Sequence, residues 1–175
     1  MSRQSIKRGF VARLLAHIVF EIRGVSSSFN RQALNHIEKA VSSSEKLHSA
    51  ELRIAIEAAM PLRLICASVS PRARALDVFS VLRVWDTAHN NGVLIYIGLA
   101  DHAVEIIADR GISGRLSQDH WDKLCSQMIA QFKQDEFETG VLQALTALTQ
   151  DLQRLFPVDP SEINPNELAN RPVIL

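Results

Sequence analysis

Two aspartates stand where the chain changes character. Asp86 opens the polar stretch Asp86-Thr87-Ala88-His89-Asn90-Asn91-Gly92, and Asp109 ends an apolar run with Asp109-Arg110-Gly111. Two carboxylates with amide and carbonyl oxygens nearby could hold a hard cation such as calcium or magnesium, which prefer oxygen ligands. An aspartate beside such a metal could equally assist phosphoryl transfer to water. The same residues also serve backbone geometry. Asp86 and Asn90-Asn91-Gly92 are ordinary turn and capping chemistry, and Asp109 before Arg110-Gly111 can simply fix a turn. On sequence both readings stay open. Other chemistry is thinner: there is no phosphate-cradling glycine loop, no serine elbow and no histidine pair at metal-ligand helical spacing. Cys66 and Cys125 are too few and too far apart for a disulfide framework or a zinc site. Cys125 falls on an apolar stripe and reads as a buried, inert thiol.

The elements that must position these residues are legible from periodicity. Glu51 to Glu57 alternates aliphatic with polar or small residues and predicts a strand. Val93 to Ile97 is a continuous apolar run, as a strand buried on both faces would be. A tight turn at Ala100-Asp101-His102 then leads into a third strand, Ala103 to Ala108. Ser70-Pro71 predicts a helix start whose stripe is Ala75, Val78, Phe79, Leu82 and Trp85. Ser117 caps a helix with Trp121, Leu124, Cys125, Met128, Ile129 and Phe132 on one face. A last helix carries Val141, Leu145, Leu148, Leu152 and Leu155 and stops before Pro157. Upstream, Ser28 is expected to cap a helix with core positions Leu34, Ile37 and Val41. Leu62 to Val69 is apolar without a period, fitting a short strand or a packed loop.

Strand–helix–strand implies a parallel pair with a right-handed crossover, and the short turn makes the third strand antiparallel. Helices on both faces give a three-layer α/β/α sandwich with a small mixed sheet. The starts of the first two strands and the end of the third then share one edge. That edge gathers His48, Glu51, Asp86, Thr87, His89, Asn90, Asn91, Asp109 and Arg110.

The chain's 175 residues carry no net charge, which argues against a dedicated nucleic-acid binder. The balance hides a gradient: through Arg31 there are six basic residues (Arg3, Lys7, Arg8, Arg13, Arg23, Arg31) against Glu21. Ile6, Phe10, Leu14, Ile18 and Ile22, with Val11, Leu15 and Val19, form the apolar face of a first helix. Docking of that face on the core is the expected arrangement, and interfacial binding to membrane or to an acidic partner is the alternative. No stretch reads as a membrane span or signal peptide, so a cytoplasmic location is expected, peripheral to membrane if the helix binds lipid. Residues 1–28 read as this helix and a linker, 29–157 as the domain, and 158–175 as an irregular Pro/Asn-rich tail.

The run Trp85-Asp86-Thr87-Ala88-His89-Asn90-Asn91-Gly92-Val93-Leu94-Ile95-Tyr96, with Ala108-Asp109-Arg110-Gly111-Ile112, Trp121 and Gly140-Val141-Leu142, resembles the TPM domain family. Ala50-Glu51-Leu52-Arg53 resembles its first-strand motif and Phe156-Pro157 its common end. The resemblance implies an α/β/α sandwich and, by carry-over, a metal site at Asp86 and Asp109 with Asn91 nearby. Some relatives are described as calcium binders and acid phosphatases, and others act in assembly. The implied role is a binding or assembly module holding calcium or magnesium; a metal-dependent, acid-phosphatase-like hydrolase is the alternative.

Overall fold

The computed structural model describes residues 9–159, 161 and 164–175. Its helices are α1 (Phe10–Arg23), α2 (Arg31–Ser44), α3 (Leu62–Cys66), α4 (Pro71–Val81), α5 (Arg110–Ser113), α6 (Gln118–Phe132) and α7 (Phe137–Leu155). Its strands are β1 (Glu51–Glu57), β2 (Gly92–Gly98), β3 (Ala103–Ala108) and β4 (Val173–Ile174), in spatial order β3-β2-β1-β4. β1 and β2 are parallel, with Ile54 opposite Ile95, and β3 returns antiparallel with Ile106 opposite Ile95.

Side chains alternate across a strand, so each strand feeds two cores. Leu52, Ile54 and Ile56 join Val93, Ile95 and Ile97 under α2, α6 and α7, meeting Ile37, Val41, Leu124, Met128, Val141 and Leu145. Ala55, Leu94 and Tyr96 face the other way, onto Ala75 and Val78 of α4. The protein is an α/β/α sandwich. The α4 side also buries Glu57, whose carboxylate accepts the Tyr96 hydroxyl (2.5 Å) and the forked guanidinium of Arg74. Cys125 is buried, and burial pushes its thiol up to about 12.

Ser70 and Ser117 cap α4 and α6 by accepting from Ala73 N and His120 N. Elsewhere local structure departs from expectation. Asn30 rather than Ser28 caps α2, because Val25–Ser27 form a tight 3-10 turn that leaves the chain still turning at Ser28. Leu62–Cys66 is a helix; five residues barely exceed one turn, too short for a period to show. α4 stops at Val81 and Arg83 takes φ 53°, which carries Trp85 off the stripe and leaves it 48% exposed. Within the tail expected to be irregular, Val173 and Ile174 pair in parallel with Ala55 and Ile56 and extend the sheet.

The first helix is turned over relative to expectation. α1 docks by its polar side: the Arg13 guanidinium forks onto Asp101 (2.8 and 2.9 Å) and donates to the Val69 carbonyl (2.8 Å). Buried His17 accepts Met60 N–H at Nδ1 (3.0 Å), so Nε2 carries the proton and points at Asp101 (3.3 Å). Burial opposes ionisation of Asp101, but His17 and Arg13 more than offset it and hold the carboxyl at about 2. Phe10, Val11, Leu15, Ile18, Val19 and Ile22 face solvent, exposed by 43% to 82%. Ile6, Arg3, Lys7 and Arg8 lie outside the described residues.

Candidate functional site

The strand edge predicted from topology forms, and backbone geometry locks it. Gly92 lies so near Val84 that a Cβ would sit 1.9 Å from the Val84 carbonyl oxygen. At Gly111 a Cβ would fall 2.5 Å from the Asn90 oxygen, whose carbonyl accepts Gly111 N–H (2.9 Å). Neither approach tolerates a side chain without backbone movement. Asp109 N donates to Gly92 O (2.9 Å), which fastens the end of β3 to the start of β2.

Asn91 and Asp109 are brought together at this junction. Asn91 is fully buried; its N–H donates to Thr87 Oγ1 (3.1 Å) and its Nδ2 to the Ser49 carbonyl (2.6 Å). Asp109 caps α5 by accepting Arg110 N–H at Oδ1 (2.7 Å), and Arg110 Nε reaches Asn90 Oδ1 (2.9 Å). What remains are two buried oxygens without a protein partner, Asn91 Oδ1 and Asp109 Oδ2. A buried acceptor left without a donor costs roughly 1–3 kcal/mol, so such atoms ordinarily meet water or an ion.

Asp86 is not drawn into this pair. Its side chain is 56% exposed and its ion-pair partner is Arg83 at 4.0 Å, one turn back. The turn interpretation therefore accounts for Asp86, whereas Asn91 and Asp109 each keep an oxygen free after serving the backbone. Among the described residues no group of three or more His, Cys, Asp or Glu is placed to share a metal.

His48 and Glu51 sit at the same edge with structural partners. Nδ1–H of His48 donates to Ala50 O (2.9 Å), so Nε2 accepts from the Ser44 hydroxyl (2.8 Å). Burial drives this imidazole down to about 4 and keeps it neutral. Glu51 accepts Leu168 N–H from the tail (3.0 Å), and burial raises its carboxyl. Sequence reasoning missed Glu45, in the turn after α2. Glu45 accepts Leu52 N–H at Oε1 (2.9 Å), and burial, opposed by that bond and reinforced by Glu51, pushes it up to about 7. Its three-residue and six-residue spacings to His48 and Glu51 were the available signal.

Residues 26–151 match the TPM domain. The chain belongs to the TPM domain family. This TPM domain is similar in structure to the BA42 protein of the psychrophilic bacterium Bizionia argentinensis, solved by NMR. The TM-score is 0.72 at 29% identity, covering 83% of this chain and 94% of BA42. No curated protein matches the sequence. α1 and the tail beyond Leu155 fall outside the stretch matched as TPM domain. Among the described residues no helix is long and apolar enough to cross a membrane.

Proposed function

We propose that this TPM domain is a non-catalytic binding module that seats on an anionic membrane surface through α1. The observation that carries the reading is the reversed docking of α1, which spends its polar side on Asp101 and turns its apolar side to solvent. Six large apolar residues of one helix are exposed, and Leu62, 56% exposed, continues the patch across a groove shared with Ile18 and Ile22. An amphipathic helix of this kind lies in the plane of a bilayer with its apolar face among the acyl chains. The charge pattern selects the surface: Arg3, Lys7 and Arg8 immediately precede the helix and Arg23 ends it, against Glu21 alone. Each basic residue near an anionic leaflet contributes about 1 kcal/mol, so three or four favour anionic over neutral lipid by about 10²- to 10³-fold.

Sedimentation with vesicles of phosphatidylcholine alone, or mixed with phosphatidylglycerol, tests this. Binding is expected to the mixed vesicles only, with at least a tenfold loss on replacing Ile18 and Ile22 together by aspartate. Equal binding to both vesicle types would overturn the anionic selectivity, and no binding to either would overturn the membrane reading and leave a protein partner for the same face.

In the same reading calcium or magnesium braces the β2–β3 edge. Asn91 Oδ1 and Asp109 Oδ2 fit a hard cation as oxygen donors, with Asp86 reaching it only through solvent. Its role there is to rigidify the edge, as a ligand bound by the folded state alone does. The alternative of phosphoester hydrolysis has less behind it, since Asp109 Oδ1 is committed to capping α5 and the Thr87 hydroxyl beside the pair is buried and accepts Asn91 N–H. Metal-dependent phosphatase turnover that disappears in Asp109→Asn while the fold is kept would reverse that ranking.

A further inference from the structure

We propose that the carboxylates of Glu45 and Glu51, together with Asn170 of the C-terminal tail, form a second site for a hard divalent cation, closed by that tail. The tail is tied down around it. Asn164 Nδ2 donates to the carbonyls of Glu45 (3.2 Å) and His48 (3.3 Å), Leu168 N–H donates to Glu51 Oε2, and β4 pairs with β1 beyond. These bonds leave a cavity of about 180 Å³ lined by Ser42, Glu45, Lys46, Glu51, Asn164 and Asn170, among others.

Two observations point to a ligand within it. Glu45 is 8% exposed, yet among the described residues its Oε2 has no hydrogen-bond partner. Asn170 Oδ1, on a residue lining the same cavity, is likewise buried and unpartnered among the described residues. Two acidic side chains line one small space; burial raises both carboxyls, and the Glu51 charge adds to the rise at Glu45. A cation supplies what is missing. Carboxylate and amide oxygens with room for water suit calcium, or magnesium with more of its own waters retained. The exposed Lys46 ammonium at the rim is a single mobile charge on a flexible stem. Glu45 and Glu51 lie within residues 26–151, while Asn164, Leu168 and Asn170 lie beyond them, so the tail closes the site over a turn of the part matched as TPM domain.

The site is separable from the Asn91–Asp109 pair by mutation. Labelled full-length protein, stripped with chelator, is titrated with calcium chloride and then magnesium chloride while amide NMR shifts are followed. Saturable shifts are expected at Leu52, Leu168 and Asn170, with apparent affinity weakened at least tenfold in Glu45→Gln and in Asn170→Ala and unchanged in Asp109→Asn. Gln at position 45 keeps the acceptor for Leu52 N–H, and Asn170 is only half-buried as a residue, so at least one variant reports even if the other is poorly folded. Shifts confined to residues around Asn91 and Asp109, and lost in Asp109→Asn, would overturn this proposal while supporting the edge site. An absence of shifts up to about 10 mM metal would overturn both, since that is roughly tenfold above the weakest affinities, ~10⁻³ M, of extracellular calcium modules.

Discussion

Replacing Asp101 by asparagine is expected to release α1 while leaving the sandwich folded. The carboxylate takes a bidentate guanidinium and faces the proton-bearing nitrogen of His17, so it is the hub of the helix's attachment. Its carboxyl sits at about 2 against roughly 3.9 in an unfolded chain, a difference of about 2–3 kcal/mol in favour of the docked, ionised state. Arg13 and His17 can leave with their helix into water, so no charge is stranded in the interior and the loss is confined to local opening. Amide exchange in α1 should then accelerate by about 10²-fold, with β2 amides unchanged. In the parent protein the same contribution is fully present above about pH 4 and is lost as pH falls toward 2. Undiminished protection of α1 in Asp101→Asn would show that Leu14 and Phe20, the helix's partly buried apolar contacts, hold it instead.

That helix also shows where sequence reading stops. Its amphipathicity was legible, but which face meets the protein was not, because docking depends on Asp101, ninety residues away in the β2–β3 turn. Periodicity reports that one face is apolar; it says nothing of what covers it. The sheet was legible for the opposite reason. Alternation in β1, a continuous apolar run in β2 and a short turn before β3 constrain one another, and those three strands form as predicted. β4 was not, since two residues carry no pattern and its pairing is fixed by the tail's bonds to Glu51 and the α2–β1 turn.

At the candidate site the same division holds. The topology placed Asn91 and Asp109 together from strand order alone, whereas Asp86 belonged to the cluster only by proximity in sequence and is accounted for by Arg83. Glu45 and Asn170 escaped notice because their interest lies in burial without a partner, a property that emerges only when the tail folds over the α2–β1 turn. The two segments outside residues 26–151 thus flank the sheet differently. α1 presents a surface, while the tail encloses a space.

The enclosed carboxyl gives a second large effect, visible as a pH dependence that the parent protein conceals. In metal-free buffer Glu45, at about 7, stays protonated in the fold through a range where the unfolded chain, near 4.3, has released its proton. Its contribution therefore turns against folding as pH rises from about 4.5 to 7, by about 3 kcal/mol in all. His48 does the reverse. It is neutral in the fold down to about 4 but protonated in the unfolded chain below about 6.5, so its penalty fades by a similar amount as pH rises. Between about pH 4.5 and 6.5 the two slopes cancel. Glu45→Gln removes one of them and keeps the acceptor for Leu52 N–H. The stability of Glu45→Gln relative to the parent should accordingly grow from near zero at pH 4.5 to about 3 kcal/mol at pH 7, read from urea unfolding with chelator present. Taking the difference between variant and parent removes groups that do not sense Glu45, Glu105 and Asp101 among them. A flat difference curve would mean that Glu45 is ionised in the fold at neutral pH and already has a counter-charge. Saturating calcium should erase the variant's advantage at pH 7, because the parent's carboxylate then has a cation and the glutamine does not.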